Sequence, residues 1–236
     1  MADKREDVTL ACAKVNLFLA VKGLQGDGFH ALDMVNCEAE LADRLTFTHR
    51  SEPGIEVLCS DVSIPTDKRN LVWQAAELLL GGSPDPGLAI RIDKRIPVGA
   101  GLGGGSSDAA VTLKTINRMR ECGQEEQLPE LAERIGSDVP YSLAGGLCRC
   151  RGRGEIVEPI AVSNQGESRF WCLLILPGVS VSTGKAYGWL DEAGTDDGAS
   201  PDSLIEAMRL KRFDAICAGL HNSFDPVVAR RVPEIG

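Results

Sequence analysis

Five glycines fall within seven residues, Gly99, Gly101, Gly103, Gly104 and Gly105, and Ser106 and Ser107 follow directly. Lacking Cβ atoms, such a run lets the backbone turn its N–H groups inward and approach an anion closely. Ala109, Leu113 and Ile116 then recur at helical spacing, so the loop leads into an amphipathic helix expected from Ser107 to Arg120. The N–H groups and the positive dipole end of that helix would add to a cradle for phosphates, which predicts a nucleotide as ligand. Lys14 and Asn16 lie two apart on a predicted strand and so share a face. An ammonium there is costly to bury without a partner, the alternative being a lysine that reaches water from a strand end. Asp138, just ahead of Pro140, is placed either to cap a turn or to accept a proton, and the two uses are compatible.

The glycines fit two familiar phosphate loops poorly. The pattern G-x-x-x-x-G-K-[ST] starts well at Gly99 and Gly104, but Gly105 stands where the lysine belongs. The pattern G-x-G-x-x-G is met by Gly99, Gly101 and Gly104, with Glu121 at a distance suited to a ribose. The strand before it, however, Leu88–Asp93, alternates apolar and polar residues, and Lys94–Pro97 intervenes before the glycines. A dinucleotide fold needs a continuous apolar strand leading straight into the turn. What remains is a strand, a glycine loop opened by Pro97, and a helix.

The elements that must position these residues are read as follows. Strands are expected at Val8–Val21, Ala31–Glu40, Arg44–His49, Ile55–Cys59, Leu88–Asp93 and, as a buried strand, Phe170–Leu176. Gly145–Cys150 and Glu155–Ile160 suggest a hairpin. Helices are expected at Asn70–Leu80, Leu128–Arg134, Thr183–Leu190, Pro201–Arg209 and Asp214–Leu220. Strands first and mixed elements later indicate an α+β chain rather than a doubly wound sheet. The polar stretch Ser163–Ser168 is the expected domain boundary, which gives a first domain over 1–162 and a second over 168–236.

Composition narrows the function. The chain has 236 residues, 43% hydrophobic and 25% charged, enough for a substantial core. A net charge of −9 argues against nucleic acid as a partner, so an anionic nucleotide must be met locally, by Lys14, Lys94, Arg95 and the helix start. No apolar run is long enough for a membrane helix and no signal segment opens the chain, so a cytoplasmic protein without membrane contact is expected. The eight cysteines form no C-x-x-C pair and are read as reduced, mostly buried thiols.

The glycine loop with its Ser-Ser-Asp-Ala-Ala continuation resembles the phosphate-binding motif of the GHMP kinases. Ala13-Lys-Val-Asn-Leu-Phe-Leu19, Gly26-Asp-Gly-Phe-His30 and Gly136-Ser-Asp-Val-Pro140 extend the resemblance from Val8 to the chain end. They direct it to the branch that phosphorylates the 2-hydroxyl of a cytidine-diphosphate-linked polyol, 4-diphosphocytidyl-2-C-methyl-D-erythritol, in non-mevalonate isoprenoid synthesis. The resemblance implies an S5-like N-terminal domain and a ferredoxin-like C-terminal domain. It implies ATP as phosphoryl donor and Mg²⁺ as counter-ion, held largely by phosphates and water, with Ser106 and Ser107 offered to the ion or to the β-phosphate. It implies Lys14 and Asp138 as the catalytic pair, Asn16 as a substrate-positioning residue, and Asn70 and Lys94 lining the adenine or ribose pocket. It implies that His30 reads the cytosine edge and that an aromatic from the second domain stacks on the base. Tyr187 is the candidate for that aromatic, with Phe29 on the other side and core packing as the alternative for Tyr187. The family also carries a Gly/Ser-rich loop near its C-terminus; this sequence has none, so a second domain with an open sheet edge is expected, and either the sequence is truncated or a partner or homodimer completes the fold. Two further readings stay open: a GHMP kinase for another small molecule, and an inactive nucleotide-binding protein of the same fold.

Overall fold

A computed structural model describes residues 6–26, 28–81, 84–162, 170–194 and 198–235. Its two longest elements are β1 (Glu6–Leu24) and β2 (His30–Arg50), which are neighbours in the sheet. The two strands expected at Ala31–Glu40 and Arg44–His49 are thus one. Asp43, in the gap between those two, is fully buried within the strand, and its carboxylate is satisfied by partners distant in sequence. The chain forms two compact units, one of Met1–Lys14 with Glu38–Gly145, the other of Val15–Cys37 with Gly146–Gly236. The expected boundary at Ser163–Ser168 lies outside the described residues.

In the first unit β4 (Gly87–Asp93) lies between β3 (Ile55–Cys59), parallel to it, and β2, antiparallel. The β2–β4 register sets Leu45 against Ile92 and Phe47 against Ile90, and all four are fully buried or nearly so. They meet Val72 and Ala76 of α1 (Leu71–Leu80) and Ile116 of α2 (Gly104–Met119). A second apolar layer packs Ala75, Ala109, Ala110 and Leu113 against Leu131, Ala132 and Ile135 of α3 (Leu128–Ile135), with Val139 from α4 (Val139–Ala144). Helix α2 is therefore covered on two sides, and its alanines let its neighbours approach closely. This packing fixes the helix whose first turn the glycine loop enters.

The second unit pairs β1 with β7 (His221–Asn222) in parallel, β2 with β5 (Leu147–Gly152) and β5 with β6 (Ile156–Pro159) antiparallel, the last being the expected hairpin. Phe18, Ala20 and Val35 pack on Leu204 and Met208 of α6 (Asp202–Arg209) and Ile216 of α7 (Phe213–Ala218). Val21 packs on Leu190 of α5 (Thr183–Ala193) and Val227 of α8 (Asp225–Arg231).

Phe170–Leu176, expected as a buried strand, has no regular secondary structure, and Trp171, Leu173 and Ile175 are almost wholly exposed. An apolar run becomes a strand only where another strand hydrogen-bonds to it, and among the described residues none does. Among the described residues none of the eight cysteines forms a disulfide, but only Cys148 and Cys150 are buried; Cys172 and Cys217 are exposed. Among the described residues no helix is long and apolar enough to cross a membrane.

Candidate active site

The glycine loop is strung between two fixed points. Pro97 and Ile96 follow β4, and α2 starts at Gly104, three residues before the expected Ser107, so Ser106 and Ser107 lie in its first turn. The glycines at 104 and 105 adopt helical geometry as readily as loop geometry, which the sequence alone does not distinguish. Gly99, Gly101 and Gly103 have φ of 71°, 74° and 68°, the left-handed region where a side chain is strained. Gly103 is the N-cap of α2, and no side chain caps it. The first N–H groups of the helix thus donate to no cap side chain, an arrangement that suits an anion.

Lys14 ties this loop to β1. Its backbone N–H donates to Leu102 O at 2.9 Å, and its stem runs beneath Gly103, where an added Cβ would stand 2.8 Å from Lys14 Cγ. The Lys14 side chain is 8% exposed, and its Nζ lies 3.5 Å from Asp138 Oδ2. Asp138 precedes α4 and has helical φ and ψ, yet its side chain makes no capping bond. Of its two expected uses, capping is thus not the one seen. The carboxylate is 38% exposed and lies next to that ammonium. The structure therefore brings Lys14, Asp138 and the glycine loop together within the first unit.

Asn70 and Lys94 each have partners within the protein. Asn70 is the N-cap of α1: its Oδ1 accepts from Val72 N–H at 2.9 Å and its Nδ2 donates to Pro65 O at 2.7 Å. Lys94 Nζ donates to Asp43 Oδ2 and, at 3.0 Å, to Asp108 Oδ2, and its side chain is 7% exposed. Its charge is met by two carboxylates, so among the cations expected near the phosphates Lys14 and the exposed Arg95 differ from it. Burial alone would push the Lys94 ammonium down, but the carboxylates outweigh burial and hold it above its ordinary value. Burial pushes the Asp108 carboxyl up to about 7, against the pull of Lys94 and with Asp43 adding to the rise. Sequence reasoning missed Asp43 and Asp108; the signal for Asp108 was a carboxylate set among the small, buried residues of the helix start.

The raised Asp108 value has a consequence for stability. Between its ordinary 3.8 and about 7 the folded chain keeps a proton that the unfolded chain has released. Stability then falls as pH rises through that window and levels off above it. Asp108→Asn, which cannot titrate, is expected to flatten this slope, read as the urea midpoint at pH values from 4.5 to 7.5; an unchanged slope would assign the effect elsewhere.

The second unit gathers the other expected residues. His30 opens β2, with its ring stacked on Tyr187 at 4.8 Å between centroids and 22° between planes. His30 Nε2 is 2.7 Å from Asp191 Oδ1. Tyr187 also meets Phe224 edge to face at 5.0 Å, so it belongs both to the apolar cluster and to the imidazole's surroundings. Asp191 was missed, although it lies four residues beyond Tyr187 on α5 and so shares its face. Phe29 is 53% exposed, with the Arg153 guanidinium 4.8 Å above its ring. Asp27 of the same motif lies outside the described residues. Asn16 Nδ2 donates to Asn36 Oδ1 at 2.6 Å, and Asn36 is fully buried.

Comparison with known proteins gives these residues a context. Residues 70–146 match the GHMP kinases N terminal domain. The chain is 38% identical over 227 residues to a 4-diphosphocytidyl-2-C-methyl-D-erythritol kinase of Shouchella clausii, covering 95% of this chain and 75% of that one. It is 39% identical over 233 residues to the protein of that name from Pelotomaculum thermopropionicum, covering 96% and 78%. The crystal structure of a 4-(cytidine 5′-diphospho)-2C-methyl-D-erythritol kinase superposes with a TM-score of 0.74 at 31% identity, over 97% of this chain and 79% of that one. A homoserine kinase from Cytophaga hutchinsonii shares the fold, with a TM-score of 0.68 at 18% identity.

Proposed function

Because the chain belongs to the 4-diphosphocytidyl-2-C-methyl-D-erythritol kinase family of GHMP kinases, we propose that it transfers the γ-phosphoryl group of ATP to the 2-hydroxyl of 4-diphosphocytidyl-2-C-methyl-D-erythritol, with Lys14 and Asp138 at that hydroxyl. The observation that supports these roles is the half-exposed Asp138 carboxylate 3.5 Å from a buried ammonium whose stem carries the glycine loop. Phosphoryl transfer asks little covalent chemistry of a protein; it asks for positioning and for charge stabilisation. ATP supplies the phosphoryl group, and Mg²⁺ neutralises charge on its phosphates. Asp138 orients the acceptor hydroxyl and takes its proton as the O–P bond forms. Lys14 holds the negative charge that grows on that oxygen, which in a water-poor site is worth far more than in solution. The uncapped N–H groups of α2, with Ser106 and Ser107, hold the phosphates. A Mg²⁺ ion would be held largely by phosphate oxygens and water, with the Ser106 and Ser107 hydroxyls offered to it, and would neutralise phosphate charge.

The cytidine moiety is the part of the substrate that the His30, Tyr187 and Phe29 group suits. His30 offers a hydrogen-bonding edge whose orientation Asp191 holds, and Tyr187 offers a ring face. Losing a base-stacking partner costs about 1–3 kcal/mol, so Tyr187→Ala is expected to raise KM for the polyol roughly five- to 150-fold, while KM for ATP stays put. Tyr187→Phe should restore it. Steady-state kinetics on both variants check this, and an equal rise in both KM values would remove Tyr187 from the cytidine site. The reaction itself is tested by ADP release dependent on the polyol, compared with homoserine and mevalonate as alternative acceptors.

A further inference from the structure

We propose that Asp43, Lys94 and Asp108 are positioning residues for nucleotide binding: a buried ionic clamp that fixes where the glycine loop leaves β4 and where it enters α2. The clamp joins three elements at one point. Asp43 comes from β2, one residue past the last β2–β4 pair, Arg44 with Asp93. Lys94 is the first residue after β4, and Asp108 lies in the opening turns of α2. One carboxylate organises the whole exit from the strand. Asp43 Oδ1 accepts from Arg95 N–H at 2.5 Å and from Ile96 N–H at 2.9 Å, while its Oδ2 accepts from Lys94 Nζ. Lys94 Nζ then donates to Asp108 Oδ2 at 3.0 Å, which anchors the helix start to the same point.

The fit extends to the loop backbone. An added Cβ at Gly104 would stand 3.1 Å from Lys94 Nζ and 3.0 Å from Ile96 Cγ2, so the ammonium packs directly under the residue at which α2 begins. Asp108 Oδ1 is buried and finds no hydrogen-bond partner among the described residues. Such a group is costly, and it persists where the surroundings over-determine it for a purpose. Buried ion clusters are weak sources of stability but can specify one arrangement of the backbone. Here the arrangement specified is that of the loop whose N–H groups face the phosphates. Lys94 thus serves the nucleotide from beneath the loop rather than by a contact of its ammonium with it.

The proposal rests on the phosphate-loop reading but not on the identity of the acceptor. Two variants of the full chain test it: Asp43→Asn, and Lys94→Met combined with Asp108→Asn, which removes the ammonium without leaving two carboxylates face to face. Two readouts are taken: hydrogen exchange of residues 97–107 without nucleotide, and the ATP dissociation constant by calorimetry. Both variants are expected to exchange faster across 97–107, with protection in the middle of α2 retained, and to bind ATP roughly tenfold or more weakly, since small misplacements of a positioned group are costly. Where turnover is measured, KM for ATP rises and KM for the polyol does not. If Lys94 met the nucleotide directly, Asp43→Asn would free its ammonium and leave ATP affinity unchanged or improved, and that result overturns the clamp. Unchanged exchange across 97–107 in a folded Asp43→Asn chain overturns it whatever the affinity. A wild-type chain that binds ATP without phosphorylating the polyol would instead count against the acceptor assignment alone.

Discussion

Asp138→Asn is expected to lower kcat by roughly 10²–10⁴-fold, the range spanned by the loss of a positioned proton acceptor. An amide can still orient the substrate hydroxyl, but it cannot take its proton, so the loss falls on kcat and leaves both KM values within a fewfold. The fold should tolerate the change. Asp138 makes no capping bond to α4, so no cap is lost, and its carboxylate is 38% exposed rather than built into the core. The check is steady-state kinetics beside a thermal melt. A folded Asp138→Asn chain with wild-type kcat would mean that the proton leaves by another route and that the residue is structural after all.

Lys14→Met is expected to separate activity from stability. Methionine keeps most of the stem that packs beneath Gly103, but it removes a charge from a side chain that is only 8% exposed. Removing one partner of a buried ion pair usually destabilises by leaving the other charge uncompensated, but Asp138 is 38% exposed and water can solvate its carboxylate. The melting temperature is therefore expected to fall by no more than a few degrees. The rate is not spared: removing one group that stabilises developing negative charge costs about 10²–10³ in kcat. Lys14→Arg should not rescue it, because the guanidinium is larger and planar where a compact ammonium fits under the loop. A variant that loses stability and rate in proportion would show that Lys14 only holds the loop in place.

The chemistry of the site was more legible in the sequence than its mechanics. The glycines at 99, 101 and 103 announce themselves because only they tolerate the positive φ that the loop requires. Lys14 stood out as a charge on an apolar strand, and Ile55–Cys59 and the β5–β6 hairpin followed from local alternation and turns. What stayed hidden depended on partners far along the chain. Asp43 fell in the gap between two expected strands, and nothing local marked it, because its ligands, Lys94 and the N–H groups of residues 95 and 96, are about fifty residues away. Lys94 looked like a cation free to meet phosphate for the same reason. That Asn70 caps α1 was not read from the sequence, although its spacing to Val72 allows it. Phe170–Leu176 carried a strand's apolar run, but pairing decides whether such a run becomes a strand, and pairing is not written in the run itself. The division into units that each take part of β1 and β2 is invisible for a related reason: composition does not shift in the middle of a continuous strand.

The central claim, that this chain phosphorylates 4-diphosphocytidyl-2-C-methyl-D-erythritol through Lys14 and Asp138, is tested most directly by coupled ADP release. Purified chain is mixed with ATP, Mg²⁺ and the polyol, beside the Asp138→Asn variant. Polyol-dependent ADP formation that falls at least a hundredfold in the variant is the expected result. A wild-type chain that is folded by circular dichroism and saturated with ATP, yet releases no ADP when the polyol is added, would contradict it.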